Sequence, residues 1–339
     1  MPELRPSDQG EPGITRRRRG RGFSYHGPDG TPISDPATLD RIRSLVIPPA
    51  WKDVWICADP DGHLQAVGTD TAGRRQYRYH DLWREQQDRD KFDRVLELAE
   101  RLPVFRKAVD EQLQGRGLTR ERVLAAAARL LDIGFFRIGG ESYDTYGLAT
   151  LRMEHVTCGK GLVVCSYQAK GDIPREVEIA DPAACRVLRA LKALGVEGEL
   201  LRYRHPGGWS DIRSEDINDY LHEIIGHDVT AKDFRTWHAT VLAAVGLAVS
   251  RHAGRGGSAR AKQRAVTRVM KEVAEYLGNT PTVARASYVD PRVVEAYDRD
   301  MTIAAALTEL GADADFGQLA THGTVERAVI DLIRAIRAV

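Results

Sequence analysis

The stretch LGNTPTVARASY, residues 277–288, contains a helix stop followed directly by a helix start, and it ends in a tyrosine. Leu277-Gly278-Asn279 is typical of the end of a helix, and Pro281 suits the first turn of the next one. Asn279 and Tyr288 are therefore expected on either side of a turn. The simplest interpretation of Tyr288 is a side chain that packs on a helix, so any chemical role depends on what surrounds it.

Positive charge is concentrated just upstream of this stretch. Residues 250–271 carry seven Lys or Arg and no acid. The net charge is only +1, but residues 1–22 hold six Arg against three acids, and residues 289–339 hold nine acids against five bases. A neutral total built from separate blocks of charge suits a nucleic-acid-binding face, although solvated faces that never meet a polyanion have the same pattern.

Composition favours a cytoplasmic protein of two domains. A chain of 339 residues with 42% hydrophobic and 29% charged residues can bury a sizeable core. The longest apolar run, residues 241–249, is too short to span a bilayer, and the polar N-terminus lacks a signal core, so no membrane partner is expected. The four cysteines form neither a CxxC pair nor a Cys/His cluster, and the sequence predicts no cofactor or metal.

The pattern along the chain predicts an α+β protein. Residues 1–22, with RRRR at 16–19, predict a flexible basic arm. Residues 23–90 place Gly/Pro/Asp turns, such as residues 59–62, between short strand-like runs and predict a small antiparallel β-rich domain. From 91 to 339 the apolar spacing becomes mainly helical, with a three-stranded sheet around 153–180 and a short linker near residue 90. Helices are predicted at about 182–194, 214–225, 232–251, 258–277 and 323–338.

Attack of a side-chain hydroxyl on a phosphodiester has definite chemical needs. It requires an oxygen nucleophile, cations that neutralise the transition state, and an acid that protonates the departing oxygen. Arg137 follows Phe135-Phe136 and precedes a Gly-Gly turn, Arg235 begins a predicted helix, and Lys170 lies at a predicted hairpin tip. Each alone is ordinary, but a guanidinium in apolar surroundings is costly unless an anion receives it.

Taken together, these residues resemble the Arg-Lys-Arg-His/Asn-Tyr set of type IB DNA topoisomerases, in the small poxvirus-like and bacterial branch. The resemblance runs from about residue 22 to about residue 300, and six motifs occur in the family's order. They are IPPAWKDVWI (47–56), GRRQYRYHDLW (73–83), FFRIGGESYDTYGLATL (135–151), the Lys170 hairpin, TAKDFRTWHA (230–239) and LGNTPTVARASYVDP (277–291). The fold it implies is the catalytic fold shared by topoisomerases IB and tyrosine recombinases, preceded by a DNA-clamping β-rich domain.

The resemblance implies a role for each of five catalytic positions. Tyr288 would attack a backbone phosphate, form a 3′-phosphotyrosyl intermediate and expel a 5′-hydroxyl. Arg137 and Arg235 would hold the non-bridging oxygens, and Lys170 would protonate the 5′ oxygen. Asn279 would hydrogen-bond a non-bridging oxygen; many relatives have His there, and Asn cannot titrate near neutral pH. The implied enzyme relaxes DNA as a nucleoid-associated monomer, without ATP or metal.

Further residues would contact double-stranded DNA by the same resemblance. Gln76 and Tyr77 would touch bases, and Tyr79 would touch a phosphate. Tyr143 matches another base or backbone contact, and Lys232 matches a lysine close to the scissile bond. Ordinary half-buried strand tyrosines remain the alternative for Tyr77, Tyr79 and Tyr143.

Two other functions remain open from the sequence. Tyrosine recombinases use the same nucleophile and phosphate clamp, but they typically have His at the position of Lys232 and LGH where this chain has LGN. A DNA-binding module without catalysis is the second alternative, although all five chemical positions are filled.

Overall fold

The computed structural model describes residues 4–140, 146–169, 173–226, 228–253, 258–310 and 323–337. The chain divides into two compact units, Met1–Lys91 and Phe92–Val339. This division lies one residue beyond the boundary expected from the sequence, but it falls inside a helix, Asp81–Leu113, and not in a linker. Among the described helices, none has the length and apolar character that a membrane span requires.

The first unit is built on a five-stranded antiparallel sheet in the order β2-β1-β3-β4-β5. Ile14, Ile42, Val54, Ile56 and Ala66 form its buried apolar cluster. The turn predicted at residues 59–62 joins two neighbouring strands, as expected. The elements are β1 (Ile14–Arg19), β2 (Gly22–His26), α1 (Pro36–Ser44), β3 (Lys52–Ile56), β4 (Leu64–Thr69) and β5 (Arg75–Tyr79).

The prediction that residues 1–22 form a flexible basic arm is wrong for the arginine run, which lies in strand β1. Strand β1 pairs with β2 across a two-residue connection, in which Gly20 takes a φ of 58°. The Arg16 guanidinium donates to the carbonyls of Pro48 and Trp51 at 3.1 and 2.8 Å and lies 4.2 Å from the centre of the Phe23 ring. A run of like charge is typical of disordered segments, but here these contacts and the buried Ile14 stabilise an ordered strand.

The second unit is mainly helical. Its three-stranded antiparallel sheet has the order β6-β7-β8, with β6 (Val156–Gly159), β7 (Leu162–Ala169) and β8 (Ile173–Ala180). The pair β9 (Arg202–His205) and β10 (Gly208–Asp211) forms a separate hairpin. The helices are α2 (Asp81–Leu113), α3 (Arg120–Gly134), α4 (Pro182–Lys192), α5 (Ser214–Ile225), α6 (Ala231–Ala253), α7 (Ala259–Leu277), α8 (Pro281–Ser287), α9 (Pro291–Asp298), α10 (Ala304–Leu310) and α11 (Thr324–Arg337).

The predicted fold class is confirmed: an antiparallel β-rich unit is followed by a larger helical unit with a small sheet. The five predicted helices correspond to α4, α5, α6, α7 and α11, with ends that differ by about two residues or less, as is usual for helix ends. The start of α8 at Pro281 is as predicted, but periodicity gave no bounds for α8, α9 and α10, because seven or eight residues give too few repeats to establish a period.

Candidate active site

Tyr288 and Asn279 lie at opposite ends of helix α8. Thr280 caps the helix by accepting a hydrogen bond from the Val283 amide, and Pro281 occupies the first turn. At the other end the Tyr288 amide donates to the Ala284 carbonyl at 3.0 Å. The Tyr288 side chain is only 8% exposed, and its backbone carbonyl accepts a hydrogen bond from Thr240 on α6. One short helix therefore fixes the separation between the tyrosine and the asparagine.

Arg235 on α6 lies against the Tyr288 ring. Its guanidinium carbon is 5.4 Å from the centre of that ring, and the side chain is almost completely buried. Nη2 donates to the Leu277 carbonyl at 2.8 Å, and Nη1 donates to the Phe135 carbonyl. Burial, reinforced by the like charge of Arg137, lowers the pKa of Arg235 to about 10. Arg235 is therefore protonated at neutral pH.

Arg137 approaches the same place from the loop that follows α3. Its Nη2 donates to the Gly278 carbonyl at 3.2 Å and to the side-chain oxygen of Asn279. The backbones of Gly139 and Gly147 approach each other closely in this loop. A side chain would not fit there, because a Cβ on Gly147 would lie 2.4 Å from the Gly139 backbone. Gly139 also has a φ of 83°, which other residues rarely adopt. The IGG and YG parts of the FFRIGGESYDTYG motif thus shape the loop that carries Arg137.

The side-chain NH2 group of Asn279 donates no hydrogen bond within the described part of the chain. Its oxygen accepts from Arg137, so the amide nitrogen Nδ2 is the group left to donate. That nitrogen is buried and has no hydrogen-bond partner among the residues that the structure describes. A buried unsatisfied donor is costly, and a bound anion would remove the cost.

The end of helix α7 gathers three guanidiniums. The carbonyls of Tyr276, Leu277 and Gly278, three consecutive residues, accept hydrogen bonds from Arg175, Arg235 and Arg137 respectively. The last carbonyls of a helix lack partners within the helix, and the negative end of the helix dipole favours cations there. The hydrogen bonds described for these three arginines all go to neutral acceptors, which are backbone carbonyls and the Asn279 side-chain oxygen. The positive charge of the cluster can therefore attract an anion.

Arg175 is the member of this cluster that the sequence did not reveal. It lies on β8, directly opposite Tyr167 on β7. Burial is the main reason that its pKa is lowered, and the neighbouring charge of Arg137 lowers it further. A single arginine in a strand of alternating exposure carries no motif, so only the tertiary structure identifies it.

Positive charge also acts on the Tyr288 phenol. Burial alone would raise its pKa, but Arg235, Arg137 and Lys232 lower it below the ordinary value. Lys232 lies in the first turn of α6, three residues before Arg235, and its side chain is exposed. The phenol is therefore easier to deprotonate than a free tyrosine, which suits a nucleophile.

The proposed groove-reading residues lie on β5, an edge strand of the sheet in the first unit. The rings of Tyr77 and Tyr79 are stacked with their centres 6.3 Å apart, and Tyr77 is 49% exposed. Gln76 points its amide to Asp70, with Nε2 2.9 Å from Oδ2. The stacked rings place Tyr77 and Tyr79 on one face of the strand, as expected for residues two apart. Lys170 and Tyr143 lie outside the described residues.

Comparison with known proteins matches two successive parts of the chain. Residues 80–310 match the family model "Eukaryotic DNA topoisomerase I, catalytic core", which spans more than half of the chain. Residues 22–70 match the model "Bacterial DNA topoisomerase IB, N-terminal domain". The chain is also similar to DNA topoisomerase 1B of Acanthamoeba polyphaga mimivirus, with 27% identity over 299 residues, or 85% of this chain and 88% of the viral protein.

Proposed function

Because the chain belongs to the type IB DNA topoisomerase family, we propose that it nicks one strand of duplex DNA through Tyr288, lets the duplex swivel and reseals the strand. The observation that carries this proposal is the arrangement at the two ends of helix α8. At one end the Tyr288 phenol lies beside the buried Arg235, and at the other end Asn279 is hydrogen-bonded to Arg137.

The chemistry is a balanced exchange of phosphodiester bonds. The Tyr288 oxygen forms a bond to phosphorus and loses its proton, while the bond from phosphorus to the 5′ oxygen breaks and that oxygen gains a proton. Lys170 is the proposed donor of the second proton. The 3′-phosphotyrosyl bond conserves the energy of the broken bond, so the 5′-hydroxyl can attack it and restore the strand without ATP or metal.

Arg235, Arg137 and Asn279 are proposed to stabilise the charge on the non-bridging oxygens. A guanidinium has five N–H donors, and the hydrogen bonds described for Arg235 and Arg137 use only some of them. The Nε of Arg235 is buried without a partner among the described residues, as is Nδ2 of Asn279. These donors are fixed before the substrate arrives, which is the arrangement that favours a charged transition state.

The first unit is proposed to hold the duplex through its edge strand β5. Gln76 and Tyr77 would read bases in the major groove, and Tyr79 would contact a phosphate. Lys232 and Tyr143 are the proposed DNA contacts in the second unit. We propose that the two units act as a clamp on DNA, that one monomer suffices, and that the enzyme works on the nucleoid.

Plasmid relaxation tests this proposal and separates it from recombination. The purified protein should relax a supercoiled plasmid in EDTA without nucleotide, and denaturation during the reaction should trap protein on a 3′ end. Relaxation should weaken steeply as salt rises, because phosphate contacts dominate binding. A tyrosine recombinase would instead require paired sites and join them. A protein that binds DNA without forming any adduct would be a binding module and would refute the proposal.

The charge around Tyr288 predicts a pH dependence of cleavage. Because the phenol's pKa is lowered, the rate should rise with pH and level off below about 10, the ordinary pKa of tyrosine. Lys232→Gln removes one of the charges that lower this pKa, so the plateau should move to higher pH. The measurement is the single-turnover cleavage rate at saturating DNA across pH. Lys107→Gln, an exposed lysine on α2, is the control, and superimposable profiles for wild type and Lys232→Gln would contradict the assignment.

Loss of the Asn279 amide should slow cleavage without preventing it. Asn279→Ala removes the buried Nδ2 donor and the oxygen that holds Arg137, and losing one such donor costs about 100-fold in rate. Asn279→His restores a ring N–H and should recover most of the rate. Single-turnover cleavage measures both variants. Wild-type cleavage by Asn279→Ala would remove Asn279 from the catalytic set.

A further inference from the structure

Arg175 contacts the backbone that presents the catalytic groups, although the proposed mechanism does not use it. We infer that Arg175 is a positioning residue for strand cleavage, which holds Arg137 and Asn279 in place by bridging the carbonyls of Phe135 and Tyr276. This inference rests on the proposed function and assigns to β8 a part in it.

The first step of the argument is that Arg175 duplicates the way Arg235 is held. Both guanidiniums donate to the Phe135 carbonyl, and each also donates to one carbonyl at the end of α7. For Arg175 the two distances from Nη2 are 3.4 Å to Phe135 and 3.0 Å to Tyr276. Arg175 therefore joins the end of α3 to the end of α7.

The Phe135 carbonyl belongs to a strained residue. Phe135 ends α3 with a φ of 56°, a left-handed conformation that is unfavourable for any side chain larger than glycine. Such a conformation persists only where neighbouring groups hold it, and two guanidiniums hold this one. Arg137 follows two residues later, so the direction in which it leaves α3 depends on the backbone at Phe135.

Arg175 also packs on the residue that precedes Asn279. A Cβ added to Gly278 would lie 3.1 Å from Nη1 of Arg175, so the guanidinium lies directly against this glycine. The Gly278 carbonyl is the acceptor for Arg137, and Asn279 comes next in the chain. Arg175 thus contacts both backbone segments that carry the phosphate-binding groups, and it acts through Arg137 and Asn279.

Arg175→Ala should slow single-turnover cleavage about 100-fold, because a catalytic group displaced by about 1 Å can cost that much. The substrate is a short duplex that carries a site mapped with the wild-type adduct. Duplex affinity and Tm should stay close to wild type. Arg175→Lys keeps the charge but replaces the planar guanidinium with a single ammonium. Its cleavage rate should therefore be close to that of Arg175→Ala. Arg186→Ala, an exposed arginine on α4, is the control and should cleave like wild type.

A double-mutant cycle separates positioning from general damage to the fold. In an Arg137→Ala background, Arg175→Ala should change the rate by no more than about 2-fold, since the group that it positions is gone. In a Lys232→Gln background, the factors by which the two substitutions slow cleavage should multiply. A wild-type rate for Arg175→Ala, or losses that multiply in both backgrounds together with a lower Tm, would overturn the inference. If the wild-type protein forms no adduct, the proposed function itself is refuted.

Discussion

Tyr288→Phe is expected to abolish plasmid relaxation and the trapped protein–DNA adduct while leaving duplex binding intact. The change removes only the phenolic oxygen, which is the atom that would bond to phosphorus, and phenylalanine fills the same buried space. No other group in the mechanism can form the covalent intermediate. Relaxation of a supercoiled plasmid, adduct trapping and a gel-shift titration measure the three properties separately.

Tyr297→Phe is the matched control for this experiment. Tyr297 is a buried tyrosine in α9, only 6% exposed, and it has no part in the proposed chemistry. It should relax DNA like the wild type. Adduct that persists in Tyr288→Phe would show that another residue is the nucleophile, and loss of binding would show that the tyrosine acts in recognition.

Arg235→Ala should reduce the cleavage rate by about 1000-fold, the lower end of the range for an arginine that stabilises phosphoryl transfer. The variant loses a buried charge beside Tyr288 and the fork that would hold two phosphate oxygens. Because the same charge lowers the pKa of Tyr288, the remaining activity should need a higher pH than the wild type. Single-turnover cleavage at several pH values measures both effects.

Arg235→Lys distinguishes charge from geometry at this position. Lysine keeps a positive charge but loses the bidentate fork, so its rate should lie between those of Arg235→Ala and the wild type. Circular dichroism and Tm should show folded protein for both variants, and in Arg235→Ala the lost charge also relieves repulsion with Arg137. Nearly normal cleavage by Arg235→Ala would place the phosphate elsewhere.

The sequence predicted the parts of the fold that repeat a pattern. Long amphipathic helices such as α7 and the hairpins with Gly or Asp turns have enough periods to be recognised. The strand over Arg16–Arg19 was missed, because its charge suggests disorder and its stability comes from carbonyls some thirty residues away. Helix α8 is too short to establish a period, yet it separates Asn279 from Tyr288.

The candidate site was predicted from its side chains but not from its backbone. The motif order singled out Arg137, Arg235, Asn279 and Tyr288, and the structure brings these four together. The acceptors that hold the arginines are main-chain carbonyls at the end of α7, and no residue pattern identifies a carbonyl. Arg175 was missed for the same reason, because its partners are carbonyls of Phe135 and Tyr276.

The three arginines at the end of α7 have a consequence for how binding energy is distributed along the duplex. Held by neutral acceptors alone, they repel one another in the free protein, and a phosphate bound by Arg137 and Arg235 relieves this repulsion. That relief grows as charge accumulates on the reacting phosphate, whereas contacts elsewhere on the duplex stay the same throughout the reaction. In the proposed reaction, the mutual repulsion of these arginines in the unliganded protein is therefore relieved at the phosphate where the strand would be cut.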